Sequence, residues 1–187
     1  ITVSADRVDP ANEGHRVTIS GTLRADKPVR DAQLGISADA LILLRDVMMR
    51  QWRERCANAK CTYMLVWAAQ PMDSRGFKIA AGHQNPPRLP FSSARFFADD
   101  MHLGAFGIDA ALLAGAGKPV AYPVQGAQLP PNLAATFRES DGVLYAGADP
   151  KHAAAGDLRV SYRIVPLGGA RMTGVQRGDR LKAASAH

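Results

Sequence analysis

The segment from Leu41 to Gln70, LILLRDVMMRQWRERCANAKCTYMLVWAAQ, constrains the fold more than any other. Two apolar and aromatic runs flank a polar loop that carries both cysteines of the chain. Ala38 to Arg55 satisfies helical spacing through Leu41, Leu44, Met48, Trp52 and Arg55, and Leu, Met, Arg and Gln are good helix formers. The run Thr62 to Trp67, however, is β-branched and aromatic, and such a strand needs a partner. The reading is therefore one long antiparallel hairpin, with Trp52 and Trp67 as core anchors and Cys56 and Cys61 across its tip.

The rest of the chain reads as shorter strands added around that hairpin. Arg16 to Leu23 alternates, with Val17, Ile19, Gly21 and Leu23 on one side, as does Leu158 to Val165, with Leu158, Val160, Tyr162 and Ile164 inward. Ile1 to Val3 and Phe77 to Ala81 are short strand candidates, and Ser92 to Phe97 pairs with Met101 to Phe106 across Asp99 and Asp100. Met172 to Gln176 returns against Leu158 to Val165 through Gly168 and Gly169. Ile108 to Leu113 is the best short helix, with Asp109 in its first turn and Gly115 at its stop. HQNPPRLP, from His83 to Pro90, holds three prolines and must be a stiff extended loop. Between Lys118 and Leu144, only edge strands near Val120 to Val124 and Val143 to Tyr145 are expected. The fold class is mainly β: a barrel-like antiparallel sheet with one or two short helices, since closure removes exposed strand edges. Residues 1–181 form a single β-rich domain, and 182–187 a disordered or artificially added tail.

Composition fits a folded globular chain: 47% hydrophobic and 21% charged over 187 residues. The net charge of +6 is scattered, which is the pattern of a solvated mixed surface. No window of eighteen uninterrupted apolar residues exists, and no basic, then apolar, export signal opens the chain. The start at Ile1, without Met and inside a strand candidate, fits a mature or excised piece.

No catalytic apparatus is visible. His15, His83, His102, His152 and His187 lack any metal-ligand spacing, and there is no G-x-S-x-G elbow, phosphate loop or dinucleotide fingerprint. Two cysteines are too few for a zinc site; they are either two free thiols or, in an oxidising compartment, a small disulfide loop. Neither a metal nor a cofactor is expected. Two polar clusters stand out as candidate binding residues: His83, Gln84 and Asn85 on the proline loop, and Gln51, Trp52 and Glu54 on the hairpin. The plainer role for Gln84 and Asn85 is to cap neighbouring backbone, and for Trp52 to pack in the core.

Several blocks taken in order resemble the transmembrane protein 43 family, also called LUMA. They are VDPANEGHRVTISGTL (8–23), SADALILLRDVMMRQWRE (37–54), YMLVW (63–67), DSRGF (73–77), HQNPPRLPF (83–91), RFFADDMHLGAFGID (95–109), GDLRVSYRIVP (156–166) and GVQRGDRL (174–181). The resemblance implies a membrane protein whose large extramembrane domain is this chain, similar in shape to an OB-type barrel and without enzymatic activity. It implies a place in the endoplasmic reticulum and nuclear envelope for animal relatives. For this Ala- and Arg-rich chain with loop cysteines, which looks bacterial, it implies a periplasm-facing domain.

The partners that follow are the membrane-embedded segments of the same protein, other membrane proteins or a lipid surface, and a second copy in a homo-oligomer. The leading function is thus a non-enzymatic interaction or scaffold module acting through one face of a barrel. Two alternatives are an OB-like nucleic-acid-binding module, for which the scattered charge speaks poorly, and a small-ligand sensor with a barrel pocket lined by Trp67, Phe77 and Phe91.

Overall fold

The computed structural model describes residues 1–115 and 117–184. In chain order the strands are β1 (Arg16–Ala25), β2 (Val29–Asp31), β3 (Ile36–Ala38), β4 (Ala40–Ala57), β5 (Lys60–Ala68), β6 (Ala94–Phe97) and β7 (Met101–Leu103). They continue with β8 (Phe106–Ile108), β9 (Val120–Ala121), β10 (Arg138–Ser140), β11 (Val143–Ala146), β12 (Leu158–Pro166), β13 (Gly169–Arg177) and β14 (Arg180–Lys182).

Alternation in β1 buries Val17, Ile19 and Leu23, and this strand opens a closed barrel in the order β1-β13-β14-β8-β7. Counted along the chain, its members follow the path first, fourth, fifth, third, second. β14 and β8 run parallel and every other neighbouring pair antiparallel, which is the Greek-key path of an OB-type barrel. The buried side chains Val17, Ile19, Leu103, Phe106 and Leu181 come from these strands. A two-residue turn joins β7 to β8 at Gly104, whose φ is +61° and where a Cβ would lie 2.2 Å from the Ala5 carbonyl oxygen. Only glycine fits there.

Two long insertions into the barrel path build a second sheet, β10-β11-β12-β4-β5, with β6 also on β4 and β9 on β12; β2 and β3 form a separate ribbon. The ambiguous stretch before Arg55 is strand throughout: β4 is 18 residues long. Its first half is buried on both faces, so the apolar run is continuous and satisfies helical spacing without being helical. One contiguous apolar cluster links barrel residues such as Ile19 and Phe106 with sheet residues such as Leu43, Val47 and Leu144. A buried ion pair, Arg45 to Asp31 at 2.9 Å, ties β2 to β4, and the Tyr162 hydroxyl donates to the same carboxylate at 2.7 Å.

Several local expectations are corrected. Neither tryptophan is a core anchor: both are only half-buried. Phe77 to Ala81 is loop, held by side-chain contacts and not by a ladder. β6 and β7 do not pair with each other; β6 adds to β4 and β7 to β1, because the chain crosses from sheet to barrel between them. β13 does not return on β12 but pairs with β1 and β14, since β12 is occupied by β4, β9 and β11.

The expected helix is a 3-10 turn at Ala110–Gly115, and Ile108 ends β8. Along β12 the inward alternation holds to Tyr162; Val165 is then buried in place of Ile164, beside a bulge at Val165/Pro166. Ile1 to Val3 contributes a single parallel bridge, Thr2 to Thr18. A short helix at Pro131–Ala134 and β10 lie where only irregular chain was expected. Lys182 belongs to β14, and the expected tail beyond residue 184 lies outside the described residues.

Candidate interaction surface at the projecting hairpin

β12 leaves β4 at Met49, so the remainder of β4 continues with β5 as a two-stranded finger. Its tip is the two-residue turn Asn58–Ala59, with φ of 50° and 62°, values that a hairpin matching the right-handed strand twist requires. Just below it Cys56 and Cys61 sit directly opposite, Cα to Cα 4.0 Å, and are joined as a disulfide.

Pairing in register places Arg50, Trp52, Glu54 and Cys56 on one face, opposite Trp67, Leu65, Tyr63 and Cys61. The proline loop folds onto this face. Asn85 does the work of a missing strand residue: its Oδ1 accepts from the Trp52 amide at 2.7 Å and its Nδ2 donates to the Trp52 carbonyl at 2.8 Å. The Asn85 amide donates to Ser74 Oγ at 2.9 Å.

The His83 ring stacks on Tyr63, centroids 3.8 Å apart, and meets Trp52 edge-on at 4.8 Å. Its Nδ1 lies 2.9 Å from the Ile79 carbonyl, which can only accept, so the proton sits on Nδ1. Glu54 Oε2 accepts from the Tyr63 hydroxyl at 2.7 Å and from the Lys78 amide at 2.6 Å, while the Tyr63 oxygen accepts from the Ile79 amide at 2.8 Å. Burial first, then the hydrogen bond to Glu54, push the Tyr63 hydroxyl above its usual ionisation range. Gln51 is fully buried; it donates to the Gln70 carbonyl at 2.9 Å and accepts from the Met72 amide at 2.7 Å, steering the chain out of β5. Hydrogen bonds from Arg75, the larger cause, hold the exposed Asp73 carboxyl at about 2 in the turn below.

Four of the six candidate binding residues therefore converge on this face: Trp52, Glu54, His83 and Asn85; Gln51 lies on the other side of the strand, buried, where it holds the chain leaving β5. Gln84 is exposed and stands apart from this network. Sequence reasoning missed Tyr63, the hub of the cluster, although its place opposite Glu54 follows once the hairpin register is drawn. Trp67 is not a core anchor; the guanidinium groups of Arg50 and Arg159 lie against its ring, at 5.6 and 4.7 Å from its centre.

The expected ligand lining also separates: Trp67 meets Tyr145, Phe77 meets Tyr63 and Phe91 meets Phe137, and none belongs to a barrel strand. Glu54, Cys56 and Cys61 place three ligand atoms within 4.8 Å, but the two sulfurs are bonded to each other and are not thiolates. On the opposite face of the finger Arg53, Arg55, Lys60, Thr62 and Met64 are exposed, Met64 by 52%. That face is basic with an apolar centre.

The profile described as Transmembrane protein 43 matches residues 49–187. Transmembrane protein 43 of Mus musculus is 30% identical over 200 residues, covering 95% of this chain and 49% of the relative. The chain belongs to the transmembrane protein 43 family. The Homo sapiens member is 28% identical over the same share of the chain, and a Drosophila melanogaster homolog 28% identical over 52% of it. The chain spans about half the length of the mammalian relatives it matches. No solved structure matches it. The family name marks a membrane protein, and among the described residues no helix is long and apolar enough to cross a membrane.

Proposed function

We propose that this chain is the extramembrane part of a membrane protein and serves as a non-enzymatic contact module, binding protein or lipid through the projecting hairpin. The observation that carries this reading is the asymmetry of the finger. The polar groups of one face are committed to holding the proline loop, whereas the other face offers Arg53, Arg55 and Lys60 around Met64 to solvent. A module of this kind needs a rigid stem and an uncommitted face, and the clamp supplies the stem. The projecting element belongs to the open sheet, so the contact surface is moved from the barrel face expected of the sequence to the hairpin. The disulfide at the tip supports an extracytoplasmic placement, because such bonds persist in oxidising compartments.

Flotation with vesicles containing anionic lipid, and pull-down with the remaining part of the same membrane protein, test this reading. Binding to either that is lost in the double variant Arg53→Glu/Arg55→Glu is the expected result. Equal binding by that variant, or no binding to either, sinks it.

A further inference from the structure

β5 is the terminal strand of the open sheet, and among the described residues no strand pairs with its outer edge. The hydrogen-bonding parity of the finger shows which groups line that edge. On the β12 side of β4, backbone groups of Arg50 bond to Gly156 and Asp157, and those of Trp52 bond to Asn85, so even-numbered residues of β4 face that way. Odd-numbered residues of β4 therefore face β5, and their partners there are Lys60, Thr62, Met64, Val66 and Ala68. The amides and carbonyls of Cys61, Tyr63, Leu65 and Trp67 are left pointing outward. Among the described residues no backbone group of another segment bonds to them.

This nine-residue edge contains no proline, and its one charge, Lys60, stands at the tip end. Natural edges are usually blunted by charge, proline or a bulge, and a long edge without them is a template for another strand. We propose that β5 pairs antiparallel with β5 of a second copy about a two-fold axis through Met64. The inference rests on the reading of the hairpin as a contact element but not on which bilayer or protein the basic face meets.

The self-pairing follows from register. With Met64 opposite Met64, all nine residues overlap, Tyr63 faces Leu65, Thr62 faces Val66, and Cys61 faces Trp67. The four outward residues of each strand then meet as hydrogen-bonded pairs, giving about eight new backbone bonds. Lys60 falls opposite Ala68, so no like charges meet. The two basic tips point in opposite directions, about 27 Å apart at roughly 3.3 Å per residue, well beyond the Debye length of about 8 Å. A parallel pairing would instead lay Lys60 on Lys60. The contact is small, and it gains most when chains share one membrane and a raised local concentration.

Sedimentation of the 187-residue chain at concentrations up to about 1 mM, with oxidative cross-linking and peptide mapping, tests the proposal. The expected result is a reversible dimer, with Met64→Cys cross-linking to itself. Thr62→Cys and Val66→Cys should fail alone and succeed when mixed. Leu65→Pro removes an outward amide without touching the β4 ladder and should give a monomer with unchanged thermal unfolding. A chain that stays monomeric, a Thr62→Cys self-cross-link as strong as that of Met64→Cys, or a well-folded Leu65→Pro dimer overturns it. If Leu65→Pro unfolds, the cross-linking pattern alone decides. A monomer whose vesicle or partner binding still depends on Arg53 and Arg55 overturns the pairing while leaving the proposed function in place.

Discussion

The barrel and the open sheet solve the same problem in opposite ways. Three of the five barrel strands have only three residues each, yet every one has two neighbours because the ring closes. The sheet contains the 18-residue β4 and ends in β5 with one edge unpaired. Short strands suffice where closure satisfies the backbone, whereas a long strand that outruns its neighbours must find other partners. β4 finds them in Gly156, Asp157 and the Asn85 side chain on one side; among the described residues β5 has no backbone partner on the other. The difference leaves every barrel strand paired on both edges and, among the described residues, the sheet ending in a strand paired on one.

The sharpest way to break this comparison is to damage the barrel and watch the sheet. Phe106→Ala removes a fully buried barrel side chain and should cost about 3–5 kcal/mol. Both tryptophans lie on the hairpin, so their fluorescence reports the sheet alone. Because one apolar cluster joins the two parts, the fluorescence and far-ultraviolet dichroism transitions in urea should move together. A fluorescence transition that stays in place would make the two parts independent.

Alkaline titration comes next, and it should strike the sheet, since no barrel strand contains tyrosine. Burial, followed by the hydrogen bond to Asp31, raises Tyr162 well above its ordinary 10.0, and burial with Asp157 raises Tyr145 to about 12. The folded chain then keeps a proton that the unfolded chain has lost. Stability is full below about pH 10 and falls above it, by about 1.4 kcal/mol per pH unit for one such group. Tyr162→Phe should flatten that slope in denaturant titrations between pH 9 and 11.

A more local effect is expected at the loop clamp. Asn85→Ala leaves the Trp52 amide and carbonyl without their side-chain partners and should cost about 1–3 kcal/mol. Hydrogen exchange should rise in residues 70–90 and leave the barrel unchanged; faster exchange in β1 or β13 would show that the clamp supports the ring as well. The smallest change is expected at the tip. Cys56→Ser/Cys61→Ser opens a very short loop, worth about 2 kcal/mol at most, and the loosening should stay within the finger. A larger loss of global stability, read from urea midpoints, would mean that the finger belongs to the common core.

Much of the strand content was legible because period-two alternation reports a half-buried strand directly, as in Arg16 to Leu23 and Leu158 to Tyr162. The hairpin was legible for a different reason: the β-branched and aromatic run after Cys61 demands a partner, and the nearest one precedes it. Strand partners beyond nearest neighbours were not. The glycine turn after β12 suggests that β13 folds back on it, but that turn carries the chain out of the sheet and into the ring. The tryptophans were misplaced because large aromatic side chains are read as core by default, whereas here arginines and a histidine cover them. Tyr63 became visible only through the register that sets it beside Glu54 and under His83.

By itself the sequence determined the β class, the long hairpin with cysteines facing across its tip, the stiff proline loop and the family. Each of these is written in local spacing or in blocks of consecutive residues. Only the tertiary structure decided which strands close into the ring, that the proline loop lies on the hairpin, and that β5 keeps a free edge. Those depend on pairings between residues far apart in the chain, whose strength comes from hydrogen bonds and burial that no local pattern encodes.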